Sequence, residues 1–67
     1  MQTAARKITR FMTSIDMGRS VWLEFDASTE TFCLWADEAG TDYIAESDDE
    51  SGAWPLALAW FNQLMQR

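Results

Sequence analysis

Carboxylates are the most numerous groups in this chain that could do chemistry, with 11 Asp and Glu against 5 Lys and Arg, and there is no histidine. Two carboxylates can hydrolyse a glycosidic bond, but only in a cleft that gives them different environments. Here the acids fall on a strand-like segment and in a polar loop. Without histidine, the serine and cysteine triads that use a histidine base are excluded. We therefore expect no enzymatic activity and no catalytic residue.

The single cysteine and the single lysine do not suggest a nucleophile either. Cys33 has no basic neighbour in sequence that would favour its thiolate, and Lys7 lies among other basic residues with no pocket to desolvate it. One cysteine allows neither an internal disulfide nor a thiolate zinc site. The acidic loops beginning at Asp37 and Asp42 lack the alternating ligands and closing glutamate of a calcium loop. We expect no metal and no cofactor.

The net charge of −6 is divided into two blocks. Residues 20–52 contain ten carboxylates and no basic residue, whereas residues 1–19 contain one carboxylate, Asp16. The basic residues of that first block are Arg6, Lys7, Arg10 and Arg19. An acidic block repels nucleic acid phosphates and attracts basic protein surfaces. We therefore expect a protein partner with a basic surface, of the kind that binds nucleic acid, and no direct contact with nucleic acid.

The chain has the features of a soluble cytoplasmic protein. No apolar run approaches the roughly 18 residues of a membrane span, so we expect no membrane association. The first residues show no apolar segment followed by a cleavage site, and Asp16 disfavours the alternative of an organelle transit peptide. A lone cysteine also suits a reducing compartment.

Apolar periodicity predicts one α+β domain over residues 1–67, with the element order α-β-β-β-α. Ile8, Phe11, Met12 and Ile15 follow a 3.6-residue period and predict a helix over about 3–17, which Gly18 closes. A second helix is predicted over about 53–66, with Pro55 in its first turn.

Between the helices, period-two alternation predicts strands at about 20–27, 31–37 and 41–46. Parity then sets three pairs across the first hairpin, namely Phe25 with Phe32, Leu23 with Leu34, and Trp22 with Trp35. Its connection is either Ser28-Thr29 or a longer loop of the same parity. The second hairpin turns at Gly40, which pairs Trp35 with Tyr43 and Leu34 with Ile44. The expected fold is a three-stranded antiparallel meander with two helices packed on one face.

These registers place a row of aromatic residues on the sheet face away from the helices. Aromatic anchors surrounded by polar residues are typical of binding hot spots. The alternative is that one helix covers this face. The predicted partner-binding residues are Trp22, Glu24, Asp26, Trp35, Asp37, Asp42 and Tyr43.

In size, charge and aromatic content the chain resembles, in kind only, the small acidic inhibitors and DNA mimics of phages and mobile elements, including anti-CRISPR and anti-restriction proteins. That class shares no motif. The resemblance implies a non-enzymatic inhibitor whose carboxylates replace phosphates and whose aromatic rings replace stacked bases at a basic, nucleic-acid-binding surface.

The last predicted helix supports a second hypothesis. It is apolar around more of its circumference than one sheet face can cover, so the surplus packs on the first helix or on another chain. The chain would then be a structural or assembly module, a homodimer or a complex subunit. Its interface would use Trp60, Leu64 and Met65.

Overall fold

The computed structural model describes residues 6–66, which form one four-stranded antiparallel sheet and one helix. The strands lie in sequence order across the sheet, and the helix follows the last strand. The elements are β1 (Ile8–Ser14), β2 (Arg19–Asp26), β3 (Thr31–Trp35), β4 (Tyr43–Ser47) and α1 (Glu50–Met65). The α+β class is confirmed, whereas the prediction of three strands and two helices is wrong.

The segment predicted as the first helix, about 3–17, forms β1 and the turn that follows it; residues 3–5 lie outside the described residues. A β-bulge explains the error. Arg10 pairs with Trp22 and Met12 with Val21, so Phe11 is an extra residue in β1. A bulge turns two consecutive side chains towards one face, and both Phe11 and Met12 pack against the core.

The other two residues of the predicted apolar stripe do not belong to the core. Ile8 pairs with Glu24 on the opposite face of the sheet, and Ile15 lies in the β1–β2 turn with 90% of its surface exposed. Gly18 has the left-handed φ of +64° expected for it, but it closes this turn by donating its N–H to the carbonyl of Ser14. Its conformation was predicted correctly, although its element was not.

The three pairs predicted for the first hairpin are confirmed: Phe25 with Phe32, Leu23 with Leu34, and Trp22 with Trp35. The connection is the longer alternative, because Asp26 and Thr31 are the last pair and residues 27–30 form the turn.

In the second hairpin the pairing of Trp35 with Tyr43 is confirmed, but the pairing of Leu34 with Ile44 is wrong. Leu34 pairs with Ala45, since β4 has an irregularity at Ile44. Ile44 and Ala45 both pack against the core, so this second bulge adds apolar surface to the inner face.

The helix begins at Glu50, earlier than predicted, because Asp49 caps it: the carboxylate accepts a hydrogen bond from the N–H of Gly52 at 2.7 Å. Pro55 therefore lies beyond the first turn, where its missing N–H removes one helical hydrogen bond. Helix α1 packs over β3 and β4. Among residues 6–66, no helix is long and apolar enough to cross a membrane.

The core lies between α1 and the inner face of the sheet. Its buried residues are Val21, Leu34, Ala53, Ala57 and Phe61. The two alanines let the helix backbone approach the sheet closely enough to bury Val21 and Leu34 completely. The predicted arrangement of two helices on one face becomes one helix on one face.

Candidate binding face

The sheet face opposite α1, called the outer face below, brings the predicted aromatic row together. Trp22, Trp35 and Tyr43 occupy adjacent positions on β2, β3 and β4. The Trp35 and Tyr43 rings meet edge to face, with centroids 5.8 Å apart. Because α1 packs on the other side, no helix within residues 6–66 covers the row.

Arg6, which precedes β1, lies in a cradle formed by Glu24, Trp35 and the β3–β4 loop. Its Nε and Nη2 donate to the two carboxylate oxygens of Glu24 at 2.8 and 2.6 Å. Its Nη1 donates to the carbonyls of Ala39 and Gly40 at 3.4 and 3.3 Å. The guanidinium carbon lies 5.2 Å from the Trp35 ring centroid, within the range of a cation–π contact. Five contacts from three segments therefore hold one cation.

The contact with Arg6 favours the charged form of Glu24. The hydrogen bonds from Arg6 lower the pKa of the Glu24 carboxyl below its ordinary value, partly opposed by burial. The indole Nε1–H of Trp35 donates to Glu24 at 3.0 Å and acts in the same direction. The hydrogen bond to Glu24 also raises the pKa of Arg6. Both groups are therefore charged at neutral pH.

A second arginine lies on the same face. Arg10 pairs with Trp22 across β1 and β2, and its guanidinium carbon lies 5.7 Å from the Trp22 ring centroid. Arg6 and Arg10 were not among the predicted site residues, because the segment that contains them was expected to be a helix. The alternation of Arg6, Ile8 and Arg10 is the signal that could have placed them on one face of a strand.

The β4 side of the outer face has no arginine among the described residues. Tyr43 donates its hydroxyl to Glu46 at 3.3 Å, and the Cys33 thiol lies 3.9 Å from the other oxygen of Glu46. Burial, with Glu46 adding to it, raises the pKa of both the Cys33 thiol and the Tyr43 hydroxyl. Cys33 therefore stays a thiol at neutral pH, which makes it a poor nucleophile.

Three predicted acids lie at the ends of the strands. Asp37 accepts hydrogen bonds from the N–H groups of Thr41 and Asp42, both at 2.9 Å, and from the Thr41 hydroxyl, which lowers its pKa. Asp26 accepts from the hydroxyl and N–H of Ser28, with the same effect on its pKa. Asp26 and Asp37 therefore stabilise turns, while the Asp42 side chain is exposed.

Most of the acidic block lies at the β4 edge of the sheet, opposite the edge formed by β1. Seven carboxylates lie on β4 or in the segments that flank it, with no basic residue between them: Asp37, Glu38, Asp42, Glu46, Asp48, Asp49 and Glu50. Among residues 6–66, the basic residues lie just before β1, on β1, or at the start of β2 beside it. Within residues 6–66, Arg6–Glu24 is the only ion pair, so the acidic edge is not neutralised by the described part of the chain.

The residues of the alternative interface all lie on α1 but differ in exposure. Trp60 packs against the core, Leu64 is half-buried, and Met65 is 68% exposed. Met65 instead lies with Trp54 and Leu58, both half-exposed and neither predicted, on the side of α1 that faces β1. Phe11 on β1 completes this set, with its ring 5.4 Å from that of Trp54. Phe11, Trp54, Leu58 and Met65 are called the apolar strip below.

The site has no metal-ligand geometry: no three His, Cys, Asp or Glu side chains within residues 6–66 are placed to hold an ion. Comparison of the chain with protein-family models, with curated proteins and with solved structures finds no match.

Proposed function

We propose that this chain is a non-enzymatic, cytoplasmic protein-binding domain that docks its outer face and acidic edge on a basic protein surface. The observation that carries the proposal is that the face already binds arginine. Arg6 lies on Glu24 and Trp35, and Arg10 lies on Trp22. A surface with this chemistry suits arginine side chains from a partner.

The β4 half of the face is where a partner would bind. Tyr43 is 54% exposed and lies beside Glu46, which pairs with no basic residue of the described chain. An aromatic ring next to an unpaired carboxylate supplies both contacts that Arg6 receives from Trp35 and Glu24. The remaining acids of this edge would speed association and make it sensitive to salt.

The target surface in this proposal is one that ordinarily binds nucleic acid. Carboxylates along β4 would occupy the positions of phosphates, and the aromatic rings would replace stacked bases. Binding would then block the target, which is how the small acidic inhibitors act. Nucleic acid added in excess should therefore compete with the chain for its target.

The test compares two single substitutions that each add a lysine. A partner captured with the wild-type chain is purified, and its affinity is measured for wild type, Glu46→Lys and Leu58→Lys. We expect Glu46→Lys to weaken binding at least about tenfold, and Leu58→Lys, on the apolar strip, to leave it unchanged. Salt raised from about 0.1 to 0.5 M should weaken wild-type binding, because exposed charges are screened. Binding that tolerates Glu46→Lys and high salt would refute the proposal.

A homodimer is the second candidate function, and the apolar strip is the observation that favours it. Its groove is lined by Phe11, Met12, Thr13, Ser14, Trp54, Leu58, Phe61, Asn62 and Met65, none of them charged. The strip adjoins β1, whose outer edge pairs with no strand of residues 6–66. Two copies meeting at β1 about a two-fold axis would join their strips without opposing the acidic edges.

Sedimentation at several protein concentrations tests the dimer. We expect Leu58→Lys to convert a dimer to a monomer, while Ala59→Lys, at the exposed neighbouring position, keeps it. A wild-type chain that remains monomeric at about millimolar concentration would exclude this candidate.

A further inference from the structure

We propose that the Glu24–Trp35 cradle is a binding site for an arginine side chain of the partner, and that Arg6 occupies it as a tethered substitute that the partner's arginine displaces. This inference rests on the proposed function. It assigns a defined ligand, a guanidinium group, to one position on the outer face.

The cradle fits a guanidinium and not an ammonium. Two parallel N–H donors reach the two oxygens of Glu24, at 2.8 and 2.6 Å, and a third nitrogen reaches two backbone carbonyls. Only a planar, forked cation can make the paired contact with Glu24 while its central carbon lies over the Trp35 ring. A lysine ammonium cannot make this paired contact, because it is a compact point charge and not a planar fork.

The cradle is held in place by contacts that do not involve Arg6. Trp35 Nε1–H orients the Glu24 carboxylate from one side, and Tyr43 packs edge-on against the Trp35 ring. Asp37 fixes the β3–β4 loop through Thr41 and the N–H of Asp42. The site is therefore expected to persist when its cation leaves.

Gly40 allows the β3–β4 loop to lie close to the guanidinium of Arg6. Its φ of +71° is unfavourable for other residues, and a Cβ there would lie 2.5 Å from Nη2 of Arg6 and 2.7 Å from Ile8. The glycine thus lets the loop carbonyls of Ala39 and Gly40 approach the guanidinium.

Arg6 can leave the cradle and be replaced by another arginine. It precedes Ile8, the first residue of β1, and so takes no part in strand pairing. Its side chain is 47% exposed, whereas that of Glu24 is 15% exposed. The tether gives Arg6 an effective concentration on the order of millimolar. An arginine of the partner displaces Arg6 when neighbouring contacts of the partner, such as those to Tyr43 and Glu46, add to its affinity.

The experiment empties the cradle and supplies the ligand. A blocked Gly-Arg-Gly peptide and its Gly-Lys-Gly counterpart are titrated into wild type and Arg6→Ala, following the indole N–H resonance of Trp35 by NMR. We expect Arg6→Ala to bind the arginine peptide at least about tenfold more tightly than wild type does. We also expect Arg6→Ala to bind the arginine peptide at least about tenfold more tightly than it binds the lysine peptide. The double variant Arg6→Ala, Glu24→Gln should lose this gain in affinity for the arginine peptide.

Two further variants make the result of the titration decisive. Arg10→Ala removes a cation from the same face and should not increase affinity for the arginine peptide. If Arg6→Ala fails to fold, Arg6→Lys keeps a charge but loses the paired contact, and it should show a smaller gain in the same direction. No gain in the folded variant, or equal binding of both peptides, would overturn the proposal. If Glu46→Lys still weakens partner binding in that case, the proposed function survives and only the cradle inference fails.

Discussion

The two faces of this sheet are built from alternate residues of the same strands but differ in what holds them. The inner face buries Leu34 and Val21 completely against Ala53, Ala57 and Phe61, through apolar contacts alone. The outer face is joined by hydrogen bonds, cation–π contacts and the Arg6–Glu24 ion pair, and much of it remains exposed.

This difference separates stability from recognition. Burial of apolar area supplies most of the free energy of folding, whereas ion pairs near the surface contribute little, because water and salt screen them. The inner face should therefore govern stability. The outer face can carry charge and aromatic rings for a partner at small cost to the fold.

Substitutions on the two faces should give the largest contrast. Leu34→Ala leaves a cavity at a fully buried site, so we expect it to lower the free energy of unfolding by about 2–5 kcal/mol. Tyr43→Ala, on the half-exposed outer face, should cost less than half as much. Urea denaturation followed by tryptophan fluorescence measures both. Equal losses would show that the outer face belongs to the core after all.

Enlarging an alanine tests the close approach of α1 to the sheet. Ala57→Leu inserts three carbons where no surface is exposed, and we expect a loss of about 1–3 kcal/mol through overpacking. Ala59→Leu makes the same change on the exposed side of the helix, with the same helix propensity, and should be nearly neutral. If Ala57→Leu is as stable as Ala59→Leu, the interface between helix and sheet is loosely packed.

The first hairpin was predictable because no bulge interrupts the pairing of β2 with β3. From Val21 to Asp26 every second residue is apolar, and the one-residue slip that would expose them is costly, so parity alone determined three of the observed pairs. The predicted pairing of β3 with β4 is wrong only at Ile44, where a bulge changes the parity. A bulge depends on how the strand bends over the core, which short-range periodicity does not report.

The first segment was mispredicted for a related reason. The bulge at Phe11 places two consecutive apolar residues on one face, which imitates helical spacing. Local pattern could not distinguish the two, since the deciding factor is pairing with β2. Because of the same error, Arg6 and Arg10 were not predicted as site residues. The sequence therefore indicated the aromatic row but not the cations that lie on it.

The smallest expected effect is on the pH dependence of stability, and it tests whether the Arg6–Glu24 pair contributes to folding. The pKa of Glu24 is lower in the folded chain than its ordinary value of 4.5, chiefly through the hydrogen bonds from Arg6. The unfolded chain therefore binds a proton first as the pH falls. The stability from this group is fully present above about pH 4.5 and is lost as the pH falls through the folded value.

Comparison with Glu24→Gln isolates this contribution from the other carboxylates. We expect wild type to be more stable than Glu24→Gln at pH 7, and the difference between them to shrink steadily below pH 4.5. Glu38→Gln, in the exposed β3–β4 loop, controls for the general effect of removing one negative charge. A wild-type advantage that is absent at pH 7 would mean that the pair orients the outer face without stabilising the fold. That outcome would sharpen the separation of the two faces, because even the best-connected polar contact of the outer face would then serve recognition alone.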